Sequence, residues 1–343
     1  MKDEINLQKM LDAGGEVLIP AGRYEIEKPL EIGEGTRLFL GQGTVIRLAD
    51  GANCPMLINR IAEGKKYTSD FTVEGGIWDG NNVGQGSKEL VMMFTGVKNF
   101  RIRNLTVKDP GGFCIMLTDS ERYTVEDIIF DCNNATLNED GLHVNGYSKD
   151  GYIHNLKGHT NDDMVALNAD EGEFTGPEND IENITIDGIY GGGNGWTGIR
   201  LLSRVAHVKH ITIRNLYGAY KFNAVSFTHW HHHPDNFGFF DDIVLENIHA
   251  SCCLPSGNGH GGLIWFQPDV VNVGTIVIDK IFRTEGDGLR NSTSLIEIGD
   301  RVKIGTLCLS RIFEKIPDDK PTFRKGKDVV IGNLVSDGTV KVQ

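Results

Sequence analysis

Several features that often locate a protein's partners are missing from this chain. Its 34 Lys and Arg stand against 47 Asp and Glu, a net charge of −13, and no basic cluster interrupts the balance. That argues against nucleic acid as a partner and disfavours a long polyanion. No run of about 18 apolar residues exists, so no membrane span is expected. The first residues, Met1 to Asn6, lack the apolar h-region of a signal peptide. The expectation is a cytoplasmic protein, with a virion-associated or secreted one left open. The six Cys are scattered, with Cys252 and Cys253 adjacent, which is not a disulfide framework. They are expected to be small buried hydrophobes. Pro is scarce, at 10, and no Pro- or Ser-rich linker divides the chain. A single domain over residues 1–343 is therefore expected.

Gly is abundant, at 43, without a collagen period, and implies many tight turns. The sequence repeats. Asn99 to Leu105, centred on Ile102, returns in altered form around Ile186, Ile213, Leu245 and Ile278. Weaker copies centre on Val73, Val125, Ile153, Leu309 and Ile331, with anchors 22 to 33 residues apart. Each copy alternates apolar and polar residues, the period of a half-buried strand. A second short strand follows most of them, such as Leu142–Val144, Val165–Leu167, Ile199–Leu201, Val225–Phe227 and Leu263–Trp265. Repeats of this length built from short strands and Gly/Asn turns are coils of a solenoid. The fold expected is all-β: a single-stranded right-handed parallel β-helix of about ten coils. Asn104, Asn155, Asn215, Asn247 and Asn333 suit turn positions in the left-handed region or an inner ladder. Ile5 to Leu11 reads as a short amphipathic helix with Ile5, Leu7 and Leu11 apolar, closed by Gly14-Gly15. Residues 1–14 would cap the first coil, and residues from about 300 to 343 would form the last ones.

Two motifs stand out. Asn138-Glu139-Asp140-Gly141 opens the strand Leu142–Val144, and Asn161-Asp162-Asp163-Met164 opens Val165–Leu167. As neighbouring rungs, these strands turn Leu142, Val144, Val165 and Leu167 inward and His143 and Ala166 to solvent. Asp140 and Asp163 then share a column, about 4.8 Å apart at Cα, with Asp162 one residue earlier. Any one Asp here reads as a turn residue. Three together are costly, because like charges raise one another's pKa, and acid/base hydrolysis is a use for them.

These motifs resemble a known family. Gly15 to Tyr24 is similar to the entry of the pectin-lyase-like superfamily, and Glu74 to Gly80 resembles the coil before the site in polygalacturonase-like enzymes of glycoside hydrolase family 28. Asn138 to Gly141 and Asp162 to Asn168 resemble that family's Asn-Thr-Asp-Gly and Asp-Asp-Cys motifs, each with one change. The resemblance implies that Asp162 is a general acid, that Asp140 and Asp163 activate water, and that the anomeric carbon is inverted. It implies a carbohydrate substrate and no metal or cofactor. The family's Gly-His-Gly and Arg-Ile-Lys motifs are not in place: Thr197 falls in the His column, and Ser226 and Thr228 stand for Arg and Lys. A Gly259-His260-Gly261 occurs, but it lies three rungs beyond Asp163, roughly 14 Å along the axis, and is not the equivalent. Candidate substrate contacts are His143, Asn168, Trp196, Arg200, His229 and Trp230. Arg200 is placed to meet an anion or to pair with Asp163. The His229–His233 run lacks metal-ligand spacing. Two other classes remain open: a tailspike-like glycan-binding trimer without turnover, and a calcium-dependent lyase or an epimerase.

Overall fold

The computed structural model describes residues 3–170, 179–193, 195–229, 237–253, 261–269, 271–284, 294–314 and 322–338. It is a parallel β-solenoid of about nine turns, consistent with a right-handed β-helix. Every strand pairing in it is parallel, and nine of the sequence anchors form one column. Val73 pairs with Ile102, then in order come Val125, Ile153, Ile186, Ile213, Leu245, Ile278 and Leu309. All of them are buried. Each such side chain stabilises the fold by about 1.5–3 kcal/mol, which holds the register. A one-residue slip would turn the whole column outward.

The tenth anchor is a correction. Ile331 pairs with Ile304, and the partner of Leu309 is Ser336. The local pattern around Ile331 imitates the repeat five residues early. The last strand, Val330–Ser336, is largely exposed, with Val330 and Val335 more than half open. No later described coil covers it, so its apolar residues carry little register information.

The corners explain the asparagines. Asn104, Asn155, Asn215 and Asn247 all have φ between 51° and 57°, the left-handed region that Asn tolerates best among side-chain-bearing residues. Their amides bridge rungs: Asn155 donates to Asp127, Asn215 to Asp187, and Asn247 to Asn215. Asn333 does not belong with them. It lies within the extended last strand and donates to Thr306.

At the other end, helix α1 (Asp3–Asp12) covers the first coil with Leu7 and Leu11, while Ile5 is 45% exposed, against expectation. Gln8 completes the contact by holding the backbone of Glu31 with both halves of its amide, at 2.8 and 3.1 Å. Gly14, at φ 65°, closes the helix by donating to Leu11 O. No helix among the described residues is long and apolar enough to cross a membrane.

Candidate active site

Five short strands on one face of the solenoid build the site: β1 (Leu142–Asn145), β2 (Val165–Asn168), β3 (Thr197–Leu202), β4 (Asn223–Thr228) and β5 (Ile264–Phe266). Leu142 pairs with Val165 and Val144 with Leu167, and these four fill the core. Asp140 and Asp163 stand two residues ahead of their strands and are therefore level. The Asp163 amide donates to Asp140 Oδ1 at 3.0 Å, and the Glu139 carbonyl accepts from the amides of Asn161 and Asp162. Asp140, Asp162 and Asp163 each offer a carboxylate oxygen within 4.8 Å of the others. Asp140 and Asp163 are buried, and Asp162 is partly open.

Glu139, the motif's odd residue, is fully buried. Its carboxylate accepts from Asn82, from Thr136 Oγ1, and from the amides of Asn134 and Thr136. It ties down the turn that presents Asp140. No role for it was expected from the sequence.

His143 and Ala166 were expected to face solvent, but both are buried. They do share an outward column, with Arg200 and Ser226 above them. Phe113 of the rung below covers His143, its ring stacked at 3.8 Å and 7°. His143 Nδ1 lies 2.6 Å from Asp140 Oδ2, while its Nε2 faces Asn145 Oδ1 and Asn168 Nδ2. His143 and Asn168 thus sit behind the carboxylates, not on a surface where a sugar would touch them. His143 meets Asp140, and Asn168 meets the far nitrogen of the His143 ring.

Asp163 is held from the other side. The Thr197 hydroxyl, one rung along in the same column, hydrogen-bonds it, and Arg200 Nη1 lies 3.6 Å from its Oδ2. Arg200 Nε donates to Thr228 Oγ1 at 3.0 Å. Burial pushes the Asp163 carboxyl well above the usual range, and the charges of Asp162 and Asp140 push the same way. Arg200 and Thr197 oppose them in part. As acidic ligands the three carboxylates also have the chemistry to hold a cation, but the Arg200 guanidinium already neutralises part of that charge.

A cleft of about 340 Å³ opens beside them. Asp162, Asp163, Trp196, Arg200 and His229 line it, as do Phe222, Trp265 and Gln267, which were not expected there. Trp196 is 39% exposed and meets Phe222 edge-on at 4.9 Å. The His229 amide donates to Gln267 Oε1 at 2.7 Å, and the His229 side chain is buried. Trp265 shares the outward column of Ser226, and alternation in Leu263-Ile264-Trp265 would have located it. A Cβ on Gly261 would lie 2.0 Å from the Trp265 ring, so only glycine lets the indole lie there. Gly262 stands three rungs beyond Asp163 in the same column, its carbonyl held by Asn223. Trp230, the His231–His233 run and the Gly259-His260 pair lie outside the described residues.

Residues 59–225 match the family model of glycosyl hydrolases family 28. That span carries all three carboxylates, Thr197 and Arg200. An exopolygalacturonase of Arabidopsis thaliana is 25% identical over 200 residues, 52% of this chain and 43% of its own. The chain thus spans less than half the length of that relative. The family 28 exopolygalacturonase of Yersinia enterocolitica superposes with a TM-score of 0.60 at 14% identity, covering 100% of this chain and 77% of its own. The tailspike of Escherichia coli bacteriophage HK620 gives 0.66 at 13%, covering 97% and 63%. The two structures share the β-helical fold with this chain, and the family 28 match adds a likeness in sequence.

Proposed function

We infer that this protein is a glycoside hydrolase that cleaves an oligo- or polysaccharide by Asp-based acid/base catalysis with inversion. The observation that carries this is the trio itself: three carboxylates within 4.8 Å at the wall of an open cleft, inside the segment that matches family 28. Asp162, the most open of the three, is placed to protonate the leaving oxygen. Asp140 and Asp163 hold the attacking water between them.

Inversion rests on access. The nearest carboxylate oxygens are closer than the roughly 6.5–9.5 Å between carboxyl groups in inverting enzymes, so spacing does not argue for it. Retention, however, needs a carboxylate free to attack carbon. Both oxygens of Asp140 are engaged, by His143 and by the Asp163 amide. Asp163 is buried against Arg200 and Thr197. Neither is open to attack carbon directly, while Asp163 Oδ2, which accepts no hydrogen bond among the described residues, is left to take a proton from water, so water is the attacking group. Proton NMR of the first product in a reducing-sugar assay tests this, with the inverted anomer expected. Products heavier than substrate by one water, and activity that survives EDTA, are expected as well. An unsaturated product or a chelator-dependent reaction would favour a lyase instead.

A glycan-binding role without turnover has one observation in its favour: Thr197, Ser226 and Thr228 stand where the family pattern has His, Arg and Lys. It predicts tight glycan binding with no release of reducing ends.

A further inference from the structure

The cleft is short of positive charge. Among the described residues lining it, Arg200 is the one guanidinium or ammonium group. Its Nη1 faces Asp163 at 3.6 Å and its Nε is committed to Thr228, so its charge is turned toward the protein's own acid. The next outward positions in its column are Ser226 and Trp265, a hydroxyl and an indole. Besides Asp162, Asp163 and the buried His229 imidazole, the polar lining is neutral amides and hydroxyls, among them Asn138, Asn161, Asn223 and Gln267.

We propose that the site cleaves the glycoside of a neutral sugar, not of a uronic acid. This rests on the hydrolase reading and deepens it. A sugar carboxylate entering the cleft would approach Asp162 and Asp163 where water is partly excluded, and like charges interact strongly in such a place. It would find one guanidinium, already shared. A neutral ring meets no such opposition. Its apolar face can lie on Trp196 or Trp265, and its hydroxyls can pair with the amides and with Ser226. Specificity arises here through repulsion of the charged sugar as much as through attraction of the neutral one.

The test is a matched panel. Nitrophenyl glycosides of neutral hexoses and deoxyhexoses are assayed beside the corresponding uronides, and a galacturonide is assayed as free acid and as methyl ester. The expected result is a neutral glycoside preferred over every uronide by about tenfold or more in kcat/KM, and the ester preferred over the acid. Salt should narrow the gap by screening the repulsion. A free uronide as the best substrate, lost selectively in Arg200→Gln, would overturn the proposal while leaving a hydrolase. If nothing in the panel is cleaved, the hydrolase reading falls. Calorimetry of the same sugars and of neutral and uronic oligosaccharides with Asp162→Asn then decides separately. Binding of a neutral sugar supports the preference for neutral sugars, without cleavage, while binding of uronic sugars alone, or of none, overturns it.

Discussion

Two columns of stacked charged residues run along this solenoid, and they are built in opposite ways. On an outer corner, Glu74, Arg103 and Glu126 follow one another rung by rung, and farther along Asp187, Arg214 and Glu246 do the same. Within each of these triples the signs alternate, and where the column runs on from Glu246 to a second acid, Asp279, Arg311 pairs with that acid at the exposed surface. Arg103 and Arg214 each meet an acid on the preceding rung, at 2.8 and 2.9 Å, with their side chains 33% and 45% exposed. On the cleft face, Asp140 and Asp163 stack like on like, buried, with Asp162 beside them. A repeating fold can place any residue in such a column. The outer ladder shows how charges stack at little cost. The inner one breaks that rule, and its surroundings only partly compensate: His143 behind Asp140, Arg200 beside Asp163. Such an arrangement fits a site kept for chemistry at the expense of stability.

The contrast can be sharpened by substitution, in descending order of expected effect. Asp162→Asn should lower kcat by about 10³-fold while the melting temperature moves little, since this carboxyl is partly open. Near-normal turnover would remove Asp162 as the acid. Glu139→Ala should cost about 2–4 kcal/mol in denaturant unfolding, because Asn82 and the 134–136 backbone lose their acceptor. Activity should fall with it, as the turn that presents Asp140 loosens. His143→Ala should lower kcat roughly tenfold, about 1.4 kcal/mol, with KM little changed. A rise in KM alone would return His143 to the role of a substrate contact. Arg103→Met on the outer ladder should cost less than about 1 kcal/mol and leave kcat and KM as they are.

Most of the ladder was legible in the residues, and so was the meeting of the two Asp motifs. Alternation and repeat spacing alone place Leu142 beside Val165, and from that Asp140 beside Asp163. Arg200 followed by the same count. What stayed hidden depends on contacts between rungs that no local pattern records. His143 points outward as alternation requires, yet Phe113 from the rung below covers it. Trp265 lies about a hundred positions from Asp163 in sequence and reaches the cleft because the coil brings it there. Ile331 misled for the converse reason: the apolar–polar pattern persists in the last strand, where no further coil enforces a register.

The most direct measurement is thermal unfolding against pH for wild type and Asp163→Asn, with activity assayed in parallel. The fold raises the Asp163 pKa, so the contribution of this group is most favourable below the ordinary carboxylate range. It is lost as pH rises through the raised value. Carboxylates whose pKa the fold lowers, such as Asp279 and Glu182, act in the opposite direction, but they are common to both proteins and cancel in the difference. The variant should be inactive, no more stable than wild type near pH 4, and more stable at pH 8 by about 2–4 °C. A variant that is active, or less stable than wild type by the same margin at every pH, would contradict the view that this carboxylate is held against its own charge for catalysis.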